Sequence, residues 1–194
     1  MNLLIDKLPD TIEIDGEDFP INSGFRPCIR IILAFEDEEL TSAEKQVILL
    51  RNIYKVMPDN TEEAIHQGAI FLNGGEVSSE DEGVTPRLRL YSFQKDAKYI
   101  FAAFRQTHGI DLELTDMHWW KFLALFDDLG NETAFWSLIS LRKKLKTNKA
   151  SQEERDLARE MDSVIELPEF DMRPWEEREQ EAIFLRQVEE HANG

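Results

Sequence analysis

The stretch His118-Trp119-Trp120-Lys121-Phe122-Leu123-Ala124-Leu125-Phe126 decides the fold class. Wound as a helix, its apolar side chains cover well over half of the circumference, and a helix greasy that far round belongs in an interior. Thr115 is placed to cap it, the pattern runs from Asp116 to about Asp128, and Gly130 stops it. An interior helix needs neighbours with one apolar stripe each. Over residues 92–107, Phe93, Ala97, Ile100, Phe101 and Phe104 fall on about one third of the helical circle. Asp96, Lys98, Arg105 and Gln106 are placed facing away, and Gly109 ends the element. Residues 133–145 repeat the pattern with Phe135, Trp136, Leu138, Ile139, Leu141 and Leu145.

Upstream, Pro27 suits the first turn of a short apolar helix that opens at Phe25. It contains Cys28, Ile29, Ile31, Ile32, Leu33 and Phe35, and the acidic run 36–39 closes it. Thr41-x-x-Glu44 is a capping box for a second helix reaching about Lys55, with Val47, Leu50 and Tyr54 on its stripe. Asn60-x-x-Glu63 caps a third, which ends at Asn73-Gly74-Gly75. Ahead of all of them, Thr11–Ile14 alternates, Asp15-Gly16 is a two-residue turn signal, and Phe19-Pro20-Ile21 follows, which predicts a hairpin. Residues 76–88 show no period and read as an acidic loop.

Downstream the character shifts. Residues 142–149 hold five basic residues and no acidic one, which suits a helix C-terminus or a partner for an acidic tail. From Ala150 to Gly194 there are 14 acidic and 5 basic residues. Ser151-x-x-Glu154 caps one helix there, and Pro174-Trp175 opens a weakly amphipathic one. The expected fold is mainly α. It consists of a compact helical core domain with a small N-terminal β-hairpin over residues 1–149, and an acidic helical C-terminal extension over 150–194. Trp175, Phe184, Leu185 and Val188 are the candidate partner-binding residues, with folding back onto the chain's own core as the alternative.

The whole chain has 194 residues, with 22 Lys and Arg against 39 Asp and Glu, for a net charge of −17. Phosphate backbones and anionic membrane surfaces repel such a surface, so neither nucleic acid nor membrane is an expected partner. No stretch approaches the roughly 20 apolar residues of a membrane span. The opening Met-Asn-Leu-Leu-Ile-Asp lacks the basic and apolar regions of a signal peptide. A single cysteine, Cys28, excludes an intrachain disulfide and suits a reducing compartment.

Catalytic patterns are missing. No Gly-x-Gly and no Gly-x-x-x-x-Gly-Lys occurs, so neither phosphate cradle is expected. His66, His108, His118 and His191 never fall at i, i+3 or i+4, and one cysteine cannot begin a thiolate site. Cys28 lies in an apolar helix, His118 beside two tryptophans reads as a core histidine, and Asp127-Asp128 diverge on a helix. The expectation is no catalytic residue, no metal, no cofactor and no enzyme.

The motif Tyr91-Ser92-Phe93-x-Lys95-Asp96-Ala97-x-Tyr99-Ile100 carries a resemblance, with Ala103-Phe104, Gly109-Ile110-Asp111-Leu112 and His118-Trp119-Trp120-Lys121-Phe122 after it. Together with Ala124-Leu125-Phe126, Leu8-Pro9 and Phe25-Arg26, it resembles the phage gene-product-fifteen family of tailed phages and prophages of Gram-positive bacteria. The likeness covers roughly residues 1–145. It implies a protein of the tail gene cluster, similar to a tail assembly chaperone. Such a protein would bind the tape measure or another tail protein in the host bacterial cytoplasm and could form a homo-oligomer. A structural component of the finished tail is the alternative that the resemblance leaves open.

Overall fold

The computed structural model describes residues 2–76 and 88–167. An antiparallel hairpin opens it, β1 over Thr11–Ile14 and β2 over Glu17–Pro20, in a register pairing Ile14 with Glu17. Asp15 and Gly16 both take positive φ, 51° and 84°, the requirement of the tight turn predicted from the sequence. Ile12 and Ile14 are buried, and the strand end is tied to the second helix by Asn22 N–H donating to the Ile53 carbonyl at 2.7 Å.

Helices follow: α1 over Phe25–Glu36, α2 over Ser42–Ile53 and α3 over Thr61–Leu72. The Thr41–Glu44 capping box and the Asn60 cap form as their sequences specify. The buried face of α2 is set by Leu49, Leu50 and Ile53, whereas Val47 is exposed, contrary to expectation. Tertiary contact with α3 explains the choice. Gly68 of α3 brings the two helices so close that a Cβ there would stand 2.9 Å from Leu49.

The central group is α4 over Ala97–His108, α5 over Trp119–Asp127 and α6 over Ala134–Lys146. Phe122 of α5 stacks on Phe25 of α1 at 5.0 Å, on Phe104 of α4 at 4.9 Å and on Trp119 at 5.4 Å. The interior placement predicted for this stretch is therefore met. Gly109 closes α4 in the left-handed region, at φ 67°. Helix α5 starts later than expected: its N-cap is His118, not Thr115. The cause lies in the backbone pairing of Gly24 with His118, where Trp119 N–H donates to the Ser23 carbonyl and Phe25 N–H to the Met117 carbonyl. Arg26 secures the same junction by donating to the carbonyls of Leu112, Glu113 and Thr115.

The expected start of α4 at residue 92 is also corrected. Residues 93–96 form a turn, Ala97 and Phe101 are exposed, and Ala103 joins the core instead. Asp96 does not face away. It is fully buried and makes a two-pronged ion pair with Arg142 of α6, at 2.6 and 3.0 Å, and it accepts the Ser92 N–H as well. Polarity alone assigned both charges to the surface, but each is the other's partner in the interior. The cluster at 142–149 is thus not purely a dipole effect, because its first member is buried.

Past residue 149, α7 spans Gln152–Glu160 behind its Ser151–Glu154 capping box, and α8 spans Asp162–Ile165. Both are tied back to α6. Lys144 pairs with Glu154, and Arg142 donates to the carbonyls of Val164 and Ile165. The predicted acidic loop at 76–88 and the helix opened by Pro174-Trp175 lie outside the described residues, except for Glu76 and Leu88.

Replacing Arg142 by Met leaves a buried carboxylate without its cation. The unfolding free energy in a urea titration should fall by about 3–5 kcal/mol, and the double variant Asp96→Leu, Arg142→Met should recover most of the loss. A single-variant loss under about 1 kcal/mol, the scale of a solvated pair, would refute this.

Candidate functional site

Among the described residues an apolar groove of about 700 Å³ lies between α1 and α6. Ile32 and Glu36 of α1 form one side and α6 the other, through Phe135, Trp136, Ile139 and Lys143. Its floor is Tyr91 and Phe93 with Phe126 from the end of α5. The rings pack on one another, Tyr91 standing edge-on to Phe93 at 5.5 Å and tilted against Phe126 at 5.0 Å. The Arg89–Glu36 ion pair, at 3.0 Å, closes one end, and Ser92 Oγ donates to the same carboxylate.

Trp136 is the residue that sequence reasoning misplaced. It counted among core positions, yet 43% of it is exposed on the groove's rim. Phe135, Leu138 and Arg142 define the inward face of α6, and Trp136, one step from Phe135, is turned away by about 100°. Once Arg142 is recognised as buried, that rotation is legible. An indole left at the edge of an apolar channel suits contact with another apolar chain rather than packing within this one.

Two groups at the groove have perturbed acidity. Burial, with the charges of Asp127 and Glu36, pushes the Tyr91 hydroxyl up against a smaller opposing effect from Arg89. Burial, then the negative charge of Glu76, pushes the Asp127 carboxyl up. Both shifts report an apolar environment.

The sequence candidates for chemistry are engaged structurally. His118 Nδ1 accepts the Trp120 N–H at 3.0 Å, and its Nε2 lies 2.9 Å from the Pro9 carbonyl. A carbonyl only accepts, so the ring is neutral with its proton on Nε2. Burial lowers its pKa below the ordinary 6.5, against a smaller opposing effect of the Pro9 bond. Cys28 is buried, and desolvation pushes its thiol up to about 12, far from nucleophilic. Trp119 and Trp120 are also occupied: their indole N–H groups donate to the carbonyls of Leu72 and Phe71, each at 2.8 Å. Among the described residues, no group of three or more His, Cys, Asp or Glu side chains is placed to hold a metal ion. The predicted partner-binding residues Trp175, Phe184, Leu185 and Val188 lie outside the described residues.

These features define a mainly helical protein with an apolar channel on its surface. No helix among the described residues is long and apolar enough to cross a membrane. Residues 4–167 match the family described as Bacteriophage Gp15 protein, and the chain belongs to that family. No curated protein and no solved structure matches the chain.

Two outcomes test the site chemistry. The neutral His118 ring contributes stability that is complete above about pH 6.5 and is lost as pH falls toward its lower folded-state pKa. His118→Asn keeps a side-chain acceptor for Trp120, so its stability should fall less between about pH 7 and 5 than that of the parent. Identical pH profiles would contradict the assignment. Cys28, for its part, should resist a thiol reagent near pH 8 until denaturant is added. Rapid reaction of the native protein would show that the thiol is open.

Proposed function

We propose that this phage protein is a non-enzymatic tail assembly chaperone that binds the tape measure or another tail protein in the host cytoplasm. The observation that carries the reading is the groove of α1 and α6, an aromatic channel with Trp136 at its edge on a chain of net charge −17. The net negative charge keeps the protein dispersed, and the channel takes up an apolar helix that a client exposes before assembly. Binding lowers the concentration of aggregation-competent client by mass action, so the action requires stoichiometric amounts and no turnover. Trp175, Phe184, Leu185 and Val188, apolar residues of the acidic C-terminal extension, are the further candidates for binding the same client. Family membership and the engaged state of His118 and Cys28 support this reading over a catalytic one.

Co-expression with the tape-measure protein of the same phage should keep that client in the soluble fraction and let the two co-purify. Trp136→Ala, a change at an exposed position, should leave the melting temperature nearly unchanged while reducing client recovery several-fold. Failure to co-purify at low salt refutes the proposal. Mass spectrometry of purified virions should find the protein absent or strongly depleted, and stoichiometric retention would make it a structural tail component instead.

A further inference from the structure

We infer that two copies of this chain pair through the outward face of α6, antiparallel about a two-fold axis, each setting its Lys143 against the Asp127 of the other. The first support is shape. The channel described above has a counterpart of about 700 Å³ on the opposite flank of α6, lined by Tyr99 of α4, Leu141 of α6, Leu157 of α7 and Met161. Trp136 and Ser140 line both hollows, so they form a ridge between two apolar grooves. A ridge flanked by grooves is complementary to its own copy turned end for end, which is the condition of a two-fold interface. Ser137 and Ser140 are the small side chains of this face and admit the close approach of a second helix.

Charge is the second support. Glu36 is paired with Arg89 in the first groove and Lys144 with Glu154 in the second. Asp127 and Lys143 also line the first groove; both are exposed, and neither has an ion-pair partner among the described residues. They stand at opposite ends of it. Phe126, adjacent to Asp127, packs at 5.5 Å on Phe135 in the first turn of α6, and Lys143 follows about 12 Å further along the helix. An antiparallel copy with its axis near Ser140 reverses that order. Each Lys143 then meets the partner's Asp127, and each Trp136 lies against the turn that carries the partner's Lys143. A parallel copy would set like charges together. Burial and the charge of Glu76 already push the Asp127 carboxyl up, and a cation brought by the second copy offsets both.

The charge of −17 on each copy opposes association as a whole. At about 0.15 M salt the Debye length is about 8 Å, which screens the remote charges and leaves the contacting pairs. The repulsion that remains keeps the dimer weak, so that a client can replace the second copy. The inference goes beyond the client reading and shares only its groove: the test contains no client, and its failure leaves the channel open to one.

Sedimentation equilibrium of the full chain at about 0.15 M salt should show a reversible monomer–dimer equilibrium. Lys143→Glu and Asp127→Lys should each weaken dimerisation several-fold, the second even though it lowers the net negative charge. An equimolar mixture of the two variants should recover the parent's dimerisation as a heterodimer, because both cross-contacts again join opposite signs. Lys55→Glu, an equal charge change at a residue that lines neither groove, should leave the equilibrium within twofold of the parent's. The inference is overturned by a parent that stays monomeric up to the millimolar range, by growth beyond a dimer, by either single variant dimerising like the parent, or by a mixture that fails to recover.

Discussion

Phe122 is the point on which the structure turns. Its ring lies against Phe25, Phe104 and Trp119 in stacked geometry, with Phe93 and Phe126 tilted or stacked beyond them, so α1, α4 and α5 are aligned by one side chain. Aromatic stacking restricts both distance and tilt, which fixes helix orientation more tightly than aliphatic packing would. The remaining contacts of α5 follow from that placement. Its first turn pairs with the start of α1 through Gly24 and His118, and Arg26 holds the preceding loop by its carbonyls. The two most distinctive stretches of sequence, Phe25-Arg26 and His118-Trp119-Trp120, are the two sides of one joint.

A second constraint organises the groove side. The Asp96–Arg142 pair is a charged contact in the dry interior, and Arg142 spends its remaining donors on Leu90, Val164 and Ile165. One side chain thereby holds the segment before α4, helix α6 and the last residues of α8 together. Such pairs confer little net stability over apolar packing, yet removing one partner is costly. Here the pair sets where the wall of the channel stands relative to α6. The described portion of the acidic arm, residues 150–167, is bound to the core through the same residue.

Much of the secondary structure was legible because its signals are local. The Asp15-Gly16 turn, the Thr41 and Ser151 capping boxes, the Asn60 cap and the Gly109 stop all act within four residues, and all form where the sequence places them. Long-range contacts were not legible in the same way. Asp96 and Arg142 are 46 positions apart, and nothing in either neighbourhood announces that two charges will meet in the core. The late start of α5 depends on backbone pairing with Ser23 and Gly24, which no capping rule near Thr115 contains. Trp136 follows from the first of these: with Arg142 assigned to the surface, the inward face of α6 was rotated, and the one exposed indole of the channel was counted as core. The family resemblance, by contrast, rests on Tyr91–Ile100 and Gly109–Leu112 as well as on Phe25-Arg26 and His118–Phe122 of the α1–α5 joint, over roughly residues 1–145, and the family match runs over 4–167.

The indoles of Trp119 and Trp120 have a consequence for how the chain holds together. They terminate α3 by binding the carbonyls of Leu72 and Phe71, bonds that a helix end otherwise makes to water or to its own neighbours. The last turn of α3 cannot fray unless both rings leave the core, so α3 and α5 open as one cooperative block. The two helices lie on either side of residues 77–87 in sequence, and α1 is clasped to α5 across the same interval. The front and rear portions of the body are therefore joined by packing as well as by the chain that links them.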